Sequence, residues 1–114
     1  MNGDDDGWLL DIAYAAREVE SFIQGFDEAS YMRDRKTQLS VLYSLAVIGE
    51  AVKQLSEGFR VRHPEMPWRQ IAGMRDVVVH GYRYVDLEQT WIIASTDVPA
   101  LLKFIEPLLP SEDG

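Results

Sequence analysis

The apolar residues of this chain recur at alternating steps of three and four in three long segments. Such steps place side chains on one side of an α-helix, whereas a strand needs a period of two, and no segment of any length shows that period. The recurring residues are Trp8, Ile12, Ala15, Val19, Phe22 and Phe26, then Val41, Leu45, Ile48, Val52, Leu55 and Phe59, then Leu87, Trp91, Ala94, Val98, Leu101, Ile105 and Leu108. The sequence therefore predicts an all-α fold.

Polar residues and glycine predict where the first two helices begin and end. Asp4 to Asp6 offer an N-cap and favourable charge for the first helix. The second helix is expected to begin near Asp34 and to end at Gly58. A short helical turn at residues 27–32 would link the two.

The two later helices are predicted from prolines and a capping pattern. Pro67 suits the first turn of a third helix, in which Trp68, Ile71, Met74 and Val78 face one way and which stops or bends at Gly81. Asp86 with Gln89 three residues later predicts a capping box at the start of the last helix. Pro99 lies inside that helix and lacks an amide hydrogen, so we expect a kink or a break there.

These helices and their short connections predict an antiparallel, up-and-down bundle of four to five helices with a kinked last helix. A chain of 114 residues with 46% hydrophobic types is long enough for one core and too short for two. We therefore expect a single domain over residues 1–114, with an ordered core over residues 8–109. Gly49 and Gly73 are expected to allow close approach between helices.

Composition points to the cytoplasm and limits the possible chemistry. The chain has no cysteine, which excludes disulfides and thiolate metal sites, and no histidine and acidic cluster has metal-ligand spacing, so neither a metal nor another cofactor is predicted. No segment approaches the roughly 18 consecutive apolar residues of a membrane span, and the acidic start is unlike a signal peptide. The net charge of −8 argues against a general nucleic-acid binder.

Positive charge is nevertheless concentrated in one segment, residues 58–84. It contains Arg60, Arg62, Arg69, Arg75 and Arg83 with both histidines, against Glu65 and Asp76. A solvated surface whose charges happen to cluster would give the same pattern. Within the segment, positions 75 and 82 share one face of a helix, whereas position 80 lies about 140° away from position 75. A bend near Gly81, or pairing of two copies of the chain, would be needed to bring the three side chains together.

Arg75, His80 and Tyr82 are spaced as Arg-x-x-x-x-His-x-Tyr, with the polar residue Asp76 directly after the arginine. In this the chain resembles the HepT-like HEPN ribonuclease toxins of prokaryotes. Further similarity lies in the segments Ile48-Gly49-Glu50-Ala51, Leu55-Ser56, Pro67-Trp68, Ile71-Ala72-Gly73-Met74 and Val85-Asp86-Leu87 with Trp91. The resemblance covers roughly residues 8–109.

The resemblance implies a metal-independent endoribonuclease that acts as a homodimer on RNA rather than DNA. Arg75 and His80 would be its catalytic residues: a guanidinium suits the phosphate, and an imidazole exchanges protons near neutral pH. Two subunits would supply two histidines, one as base and one as acid, with the roles unassigned. Asp76 would orient Arg75 or His80 or be solvated, and Glu50 would face the cleft or a partner subunit, or be a plain surface residue.

The resemblance also implies a partner, a minimal nucleotidyltransferase that acts as antitoxin by adenylylating Tyr82. Tyr84 is a weaker candidate, and a purely structural Tyr82 is the alternative. A second interpretation of the whole chain is a non-catalytic helical module that holds and regulates a nucleotidyltransferase, which the acidic net charge favours. We expect Trp8, Trp68 and Trp91 to lie in the core and His63 in a loop.

Overall fold

Helices joined by short connections form the part of the chain that the computed structural model describes, residues 3–75 and 85–110. The α-helices are α1 (Gly3–Ile23), α2 (Glu28–Tyr31), α3 (Arg35–Gln54), α4 (Glu57–Arg62), α5 (Trp68–Ala72), α6 (Leu87–Ile92) and α7 (Val98–Ile105). A π-helical turn, Ile93–Asp97, joins α6 to α7, and a 3-10 turn, Glu106–Leu108, follows. These residues contain no strand, which confirms the predicted all-α class.

A contact between opposite helix ends shows that α1 and α3 run antiparallel. Asp5 near the start of α1 bonds to Ser56, which lies just beyond the end of α3. Arg17, near the other end of α1, forms a 3.3 Å ion pair with Glu106 after α7. α1 thus packs on both α3 and α7, while α3 also packs on α5. The predicted bundle is confirmed.

The apolar residues that recur at steps of three and four form the core. Each of the six in the second segment is buried: Val41, Leu45, Ile48, Val52, Leu55 and Phe59. Trp68, Ile71 and Met74 are buried on one side of the third segment, as predicted. Trp8 and Trp91 are partly buried and pack against this core, so the assignment of all three tryptophans to packing is confirmed. Val78 and Gly81 lie outside the described residues.

Two predicted helix boundaries are wrong. α1 begins at Gly3, so Asp4 to Asp6 lie in its first turn and not at the N-cap. α3 ends at Gln54, and Gly58 lies inside α4. The reason is Ser56, which begins a new helix as its N-cap. Its backbone is extended, and its Oγ accepts a 3.1 Å hydrogen bond from the amide of Phe59.

The first helix also ends before the apolar rhythm does. α1 stops at Ile23, three residues before Phe26. Gly25 then adopts a φ of +83°, in the left-handed region that glycine enters without steric cost. This turn leads to α2, which confirms the predicted helical link, with Asp27 and Ser30 forming a reciprocal capping box.

Aspartates cap two of the predicted helix starts. Asp34 accepts a 3.1 Å hydrogen bond from the amide of Thr37, and Asp86 accepts a 3.2 Å bond from that of Gln89. Pro67 is the N-cap of α5 and not a residue of its first turn.

The predicted interruption near Pro99 is present as the π-helical turn. The amide of Val98 bonds to the carbonyl of Ile93, five residues back, which widens the helix by one residue. Pro99 then occupies the first turn of α7, the part of a helix that best tolerates a residue without an amide hydrogen. No helix in the described ranges is long and apolar enough to cross a membrane.

Candidate functional site

The predicted catalytic arginine lies directly after α5, where the chain is again helical at Met74 and Arg75. Two buried side chains, Ile71 and Met74, anchor this segment against the core. The side chain of Arg75 keeps 36% of its surface exposed. The fold thus holds the backbone of Arg75 against the core while its guanidinium reaches the surface.

Glu50 on α3 forms an ion pair with Arg75. Its Oε2 lies 2.9 Å from Nε of the arginine, and 45% of the Glu50 side chain is exposed. A pair this exposed contributes at most about 1 kcal/mol to stability. The pair therefore matters more for where the guanidinium points than for the free energy of unfolding.

Close approach of two backbones makes this pairing possible. A Cβ added to Gly49 would lie 2.7 Å from the backbone nitrogen of Arg75 and 3.0 Å from the carbonyl oxygen of Ala72. Those atoms belong to the main chain and cannot turn aside as a flexible side chain would. The predicted role of Gly49 in close approach is confirmed. Gly73 differs, because a Cβ there would meet only carbonyls of its own turn, at 3.4 Å.

Asp76, His80, Tyr82 and Tyr84 lie outside the described residues. The convergence of Arg75 with His80 and Tyr82 therefore stays a prediction. Of the five residues predicted for the site, the structure places Arg75 and Glu50, and it brings these two together. The charge pattern alone did not indicate this pairing, since twenty-five positions separate the two residues.

An apolar groove of about 670 Å³ lies between α3, α5 and the helices at the end of the chain. Leu42, Ile71, Met74 and Leu101 contribute to its wall, and Asp97 is the charged residue among its described lining. The described part of this lining offers no cation to a phosphate.

The described histidine has a packing role. The ring of His63 lies between those of Phe59 and Phe104, with centroid distances of 4.6 and 5.4 Å. Its carbonyl accepts a 2.8 Å hydrogen bond from Nε1 of Trp68. His63 is the C-cap of α4 and so lies in the predicted connection between helices. Its ring forms an aromatic cluster with Phe59 and Phe104. Over residues 3–75 and 85–110, no three acidic or histidine side chains are grouped as metal ligands.

Comparison with known proteins agrees with the resemblance. The sequence model of the family described as "Ribonuclease HepT-like" matches residues 12–108. A protein of Thermococcus cleftensis named "Probable ribonuclease HepT" is 39% identical over 101 residues, which cover 89% of this chain and 92% of that protein. A protein of Methanocaldococcus jannaschii named "Putative RNase" is 36% identical over 107 residues, covering 94% and 88%.

A third relative comes from Caldanaerobacter subterraneus and is also named "Putative RNase". It is 34% identical over 90 residues, which cover 79% of this chain and 80% of that protein. No solved structure matches the chain significantly. Since the family match extends over most of the helical bundle and the relatives align over nearly their full length, the chain belongs to the Ribonuclease HepT-like family.

Proposed function

We propose that this chain is the toxin of a toxin–antitoxin pair of the HEPN and minimal-nucleotidyltransferase type: a metal-independent endoribonuclease that acts in the cytoplasm. The observation that carries the proposal is the placement of Arg75. It heads the Arg-x-x-x-x-His-x-Tyr signature, and its side chain is 36% exposed beside Glu50 in a chain that is otherwise acidic. The names of the relatives, which are those of ribonucleases, support the same activity.

RNA carries its own nucleophile, which is why no metal is needed. The 2′-oxygen of the ribose attacks the adjacent phosphorus, a new P–O bond forms, and the bond from phosphorus to the 5′-oxygen of the next nucleotide breaks. One proton leaves the 2′-hydroxyl and one is delivered to the departing 5′-oxygen. The products are a 2′,3′-cyclic phosphate and a 5′-hydroxyl.

Arg75 and His80 have the chemistry for these steps. A guanidinium is a planar cation whose N–H donors match the phosphate oxygens on which negative charge accumulates. An imidazole with a pKa near neutrality gives or takes a proton. One histidine cannot do both at the same moment, so a homodimer with two copies of the signature would provide a base and an acid. Asp76 next to the arginine is proposed as a supporting residue.

An exposed apolar stripe on α3 supports the homodimer. Leu39 is 49% exposed and Tyr43 is 72% exposed. Both lie on the same side of the helix as Glu50 and the partly buried Val47, because steps of four and three turn the helix by about 40° and 60°, so that the four side chains span about 80°. A second copy of the chain that covered this stripe would also border the pair of Glu50 and Arg75. We place the contact between subunits here.

Regulation is proposed to act on Tyr82 through a partner nucleotidyltransferase that transfers adenylate from ATP. An attached phosphate would occupy the site of Arg75 and add negative charge where RNA must approach. Co-expression with the partner should raise the intact mass by about 329 Da per adenylate. The adduct should disappear in Tyr82→Phe and persist in Tyr84→Phe. The opposite pattern would make Tyr84 the acceptor.

The activity is tested with purified, unmodified protein and a short RNA in excess EDTA. Cleavage that leaves a 2′,3′-cyclic phosphate, and no cleavage of a strand with 2′-deoxyribose at the scissile position, is the expected result. A requirement for Mg²⁺, or products with a 5′-phosphate, would contradict the proposed chemistry.

A non-catalytic module that holds and regulates a nucleotidyltransferase is the second candidate. The net charge of −8 favours it, because a polyanion is repelled by RNA. Protein that binds the nucleotidyltransferase but cuts no RNA, even in molar excess and with Tyr82 unmodified, would support this candidate over the nuclease.

A further inference from the structure

We propose that Glu50 is a positioning residue: its carboxylate holds Nε of Arg75 so that the guanidinium is oriented toward the RNA phosphate before substrate arrives. The proposal rests on the proposed nuclease function and assigns a specific role within it. Glu50 would not touch RNA itself. It would act through Arg75.

The two oxygens of the Glu50 carboxylate have different partners. Oε2, which is shielded from solvent, lies 2.9 Å from Nε of Arg75 and accepts no geometrically aligned hydrogen bond within the described residues. Oε1 accepts a 3.3 Å hydrogen bond from Nε2 of Gln54, one helical turn further along α3. One end of the carboxylate is thus fixed by its own helix, and the other is directed at the arginine.

The backbone beneath this contact is also fixed. Gly49 brings α3 within van der Waals contact of the main chain at Arg75. Glu50 is the next residue, so the distance between the Glu50 and Arg75 backbones depends on packing and not on two flexible side chains meeting by chance. This geometry distinguishes the pair from an ordinary surface ion pair, in which both partners are long and mobile.

A fixed guanidinium helps catalysis in a way that is separable from binding. A guanidinium presents its five N–H donors in a planar fork, and the ion pair with Glu50 contacts that fork from the Nε side. Arginine loses much side-chain entropy when it is ordered, and a carboxylate that orders it in advance removes that cost from the reaction. The same negative charge lowers the positive potential that RNA meets. Glu50 should therefore raise kcat without tightening RNA binding.

The variant Glu50→Gln separates these effects, with Glu20→Gln as the control. Both remove one negative charge, and Glu20 is exposed on a different helix, α1. We expect kcat of Glu50→Gln to fall about tenfold while KM stays equal or decreases. Glu20→Gln should keep the kcat of the unsubstituted chain. Both variants should unfold within about 4 °C of that chain, because exposed charges contribute little to stability.

Double substitution shows whether Glu50 acts through Arg75. In single-turnover reactions with enzyme in excess, the loss caused by Glu50→Gln should vanish when Arg75→Ala is already present. Independent losses that multiply would overturn the positioning role. So would an unchanged kcat in Glu50→Gln, or an increase, which would mean that the carboxylate only weakens the arginine's charge.

Different results would contradict the positioning role of Glu50 and the nuclease activity. If Arg75→Ala loses cleavage while Glu50→Gln keeps the full kcat, the nuclease site survives and the positioning role is wrong. If Arg75→Ala cuts RNA as fast as the unsubstituted chain, the site itself is wrong, and the positioning role is wrong with it.

Discussion

The main chains of Gly49 and Arg75 are in contact, so close that a Cβ on the glycine would lie 2.7 Å from the arginine nitrogen. Real Cβ atoms do not come this near to a backbone nitrogen. The helix that carries Glu50 and the segment that begins the signature are therefore packed without a side chain between them.

Gly49→Ala should disturb both stability and the site. Either α3 or the segment at Arg75 must move, and overpacking of this kind costs about 1–3 kcal/mol of the free energy of unfolding. Gly7→Ala is the matched control, because a Cβ at this exposed position in α1 meets nothing within 4 Å. It should stabilise the helix by about 0.5–1 kcal/mol.

Urea unfolding of the two variants measures this contrast, and RNA cleavage below the unfolding range shows whether Arg75 is displaced. We expect activity to fall in Gly49→Ala and to persist in Gly7→Ala. Equal stability of the two variants would mean that the contact relaxes without cost.

Asp5 should contribute to stability more than its exposed neighbours. It is buried, at 2% exposure, and its carboxylate accepts bonds from N and Oγ of Ser56 at 2.8 and 2.7 Å. Removing a charged acceptor leaves the Ser56 donors without a partner, so Asp5→Ala should cost about 2–3 kcal/mol of the free energy of unfolding. Asp11→Ala, at an exposed position of the same helix, should cost less than about 0.5 kcal/mol. Denaturant unfolding that gives equal losses for the two would refute this role.

Tyr31 links α2 to α6 through a buried chain of hydrogen bonds. Its hydroxyl lies 2.8 Å from Oγ1 of Thr90, which itself donates to the carbonyl of Leu87. Since the Thr90 proton is used in that second bond, Tyr31 donates to Thr90. Tyr31→Phe should lower the free energy of unfolding by about 1 kcal/mol at pH 7.

The cost of Tyr31→Phe should depend on pH. Burial raises the pKa of Tyr31 above its usual value, so the unfolded chain loses this proton first as the pH rises. The stabilisation is therefore complete below about pH 10 and declines above it. Unfolding measured at pH 7 and near pH 10.5 should show a smaller difference between the unsubstituted chain and the Tyr31→Phe variant at the higher pH. A difference that grows would contradict the raised pKa.

The helices were predictable from sequence because the spacing of their apolar residues indicates which side each helix buries. Asp34 and Asp86 marked two starts correctly, since a cap is a local interaction between residues three positions apart. Gly58 was misleading for the opposite reason. The end of α3 depends on Ser56, which is held by Asp5 from a distant part of the chain, and a local rule cannot register such a contact.

The candidate site was predictable only in part. The signature named Arg75, and Gly49 was expected to permit close approach, but the pairing of Glu50 with Arg75 requires knowing how α3 lies against α5. A sequence signal did exist, because Glu50 directly follows Gly49, the one glycine of α3, where we expected another backbone to approach. The spacing of residues along the sequence could not show that this backbone is the one at Arg75.

The stripe on α3 should govern dimer formation. Tyr43→Glu places a charge where a second copy is proposed to pack, and should convert dimer to monomer and lower RNA cleavage in parallel. Tyr14→Glu is the control, because Tyr14 is 68% exposed on α1 and Tyr43 is 72% exposed on α3. Light scattering coupled to size exclusion measures the mass. Dissociation by the Tyr14 substitution alone would move the interface to α1.

Arg75 and His80 are proposed to act on one phosphate. Single-turnover cleavage of a short RNA by the unmodified chain, compared with Arg75→Ala and His80→Ala, tests it most directly. We predict that each variant loses at least about a hundredfold in rate while its thermal unfolding stays within a few degrees of the unsubstituted chain. Cleavage by either variant at the rate of the unsubstituted chain would contradict the account.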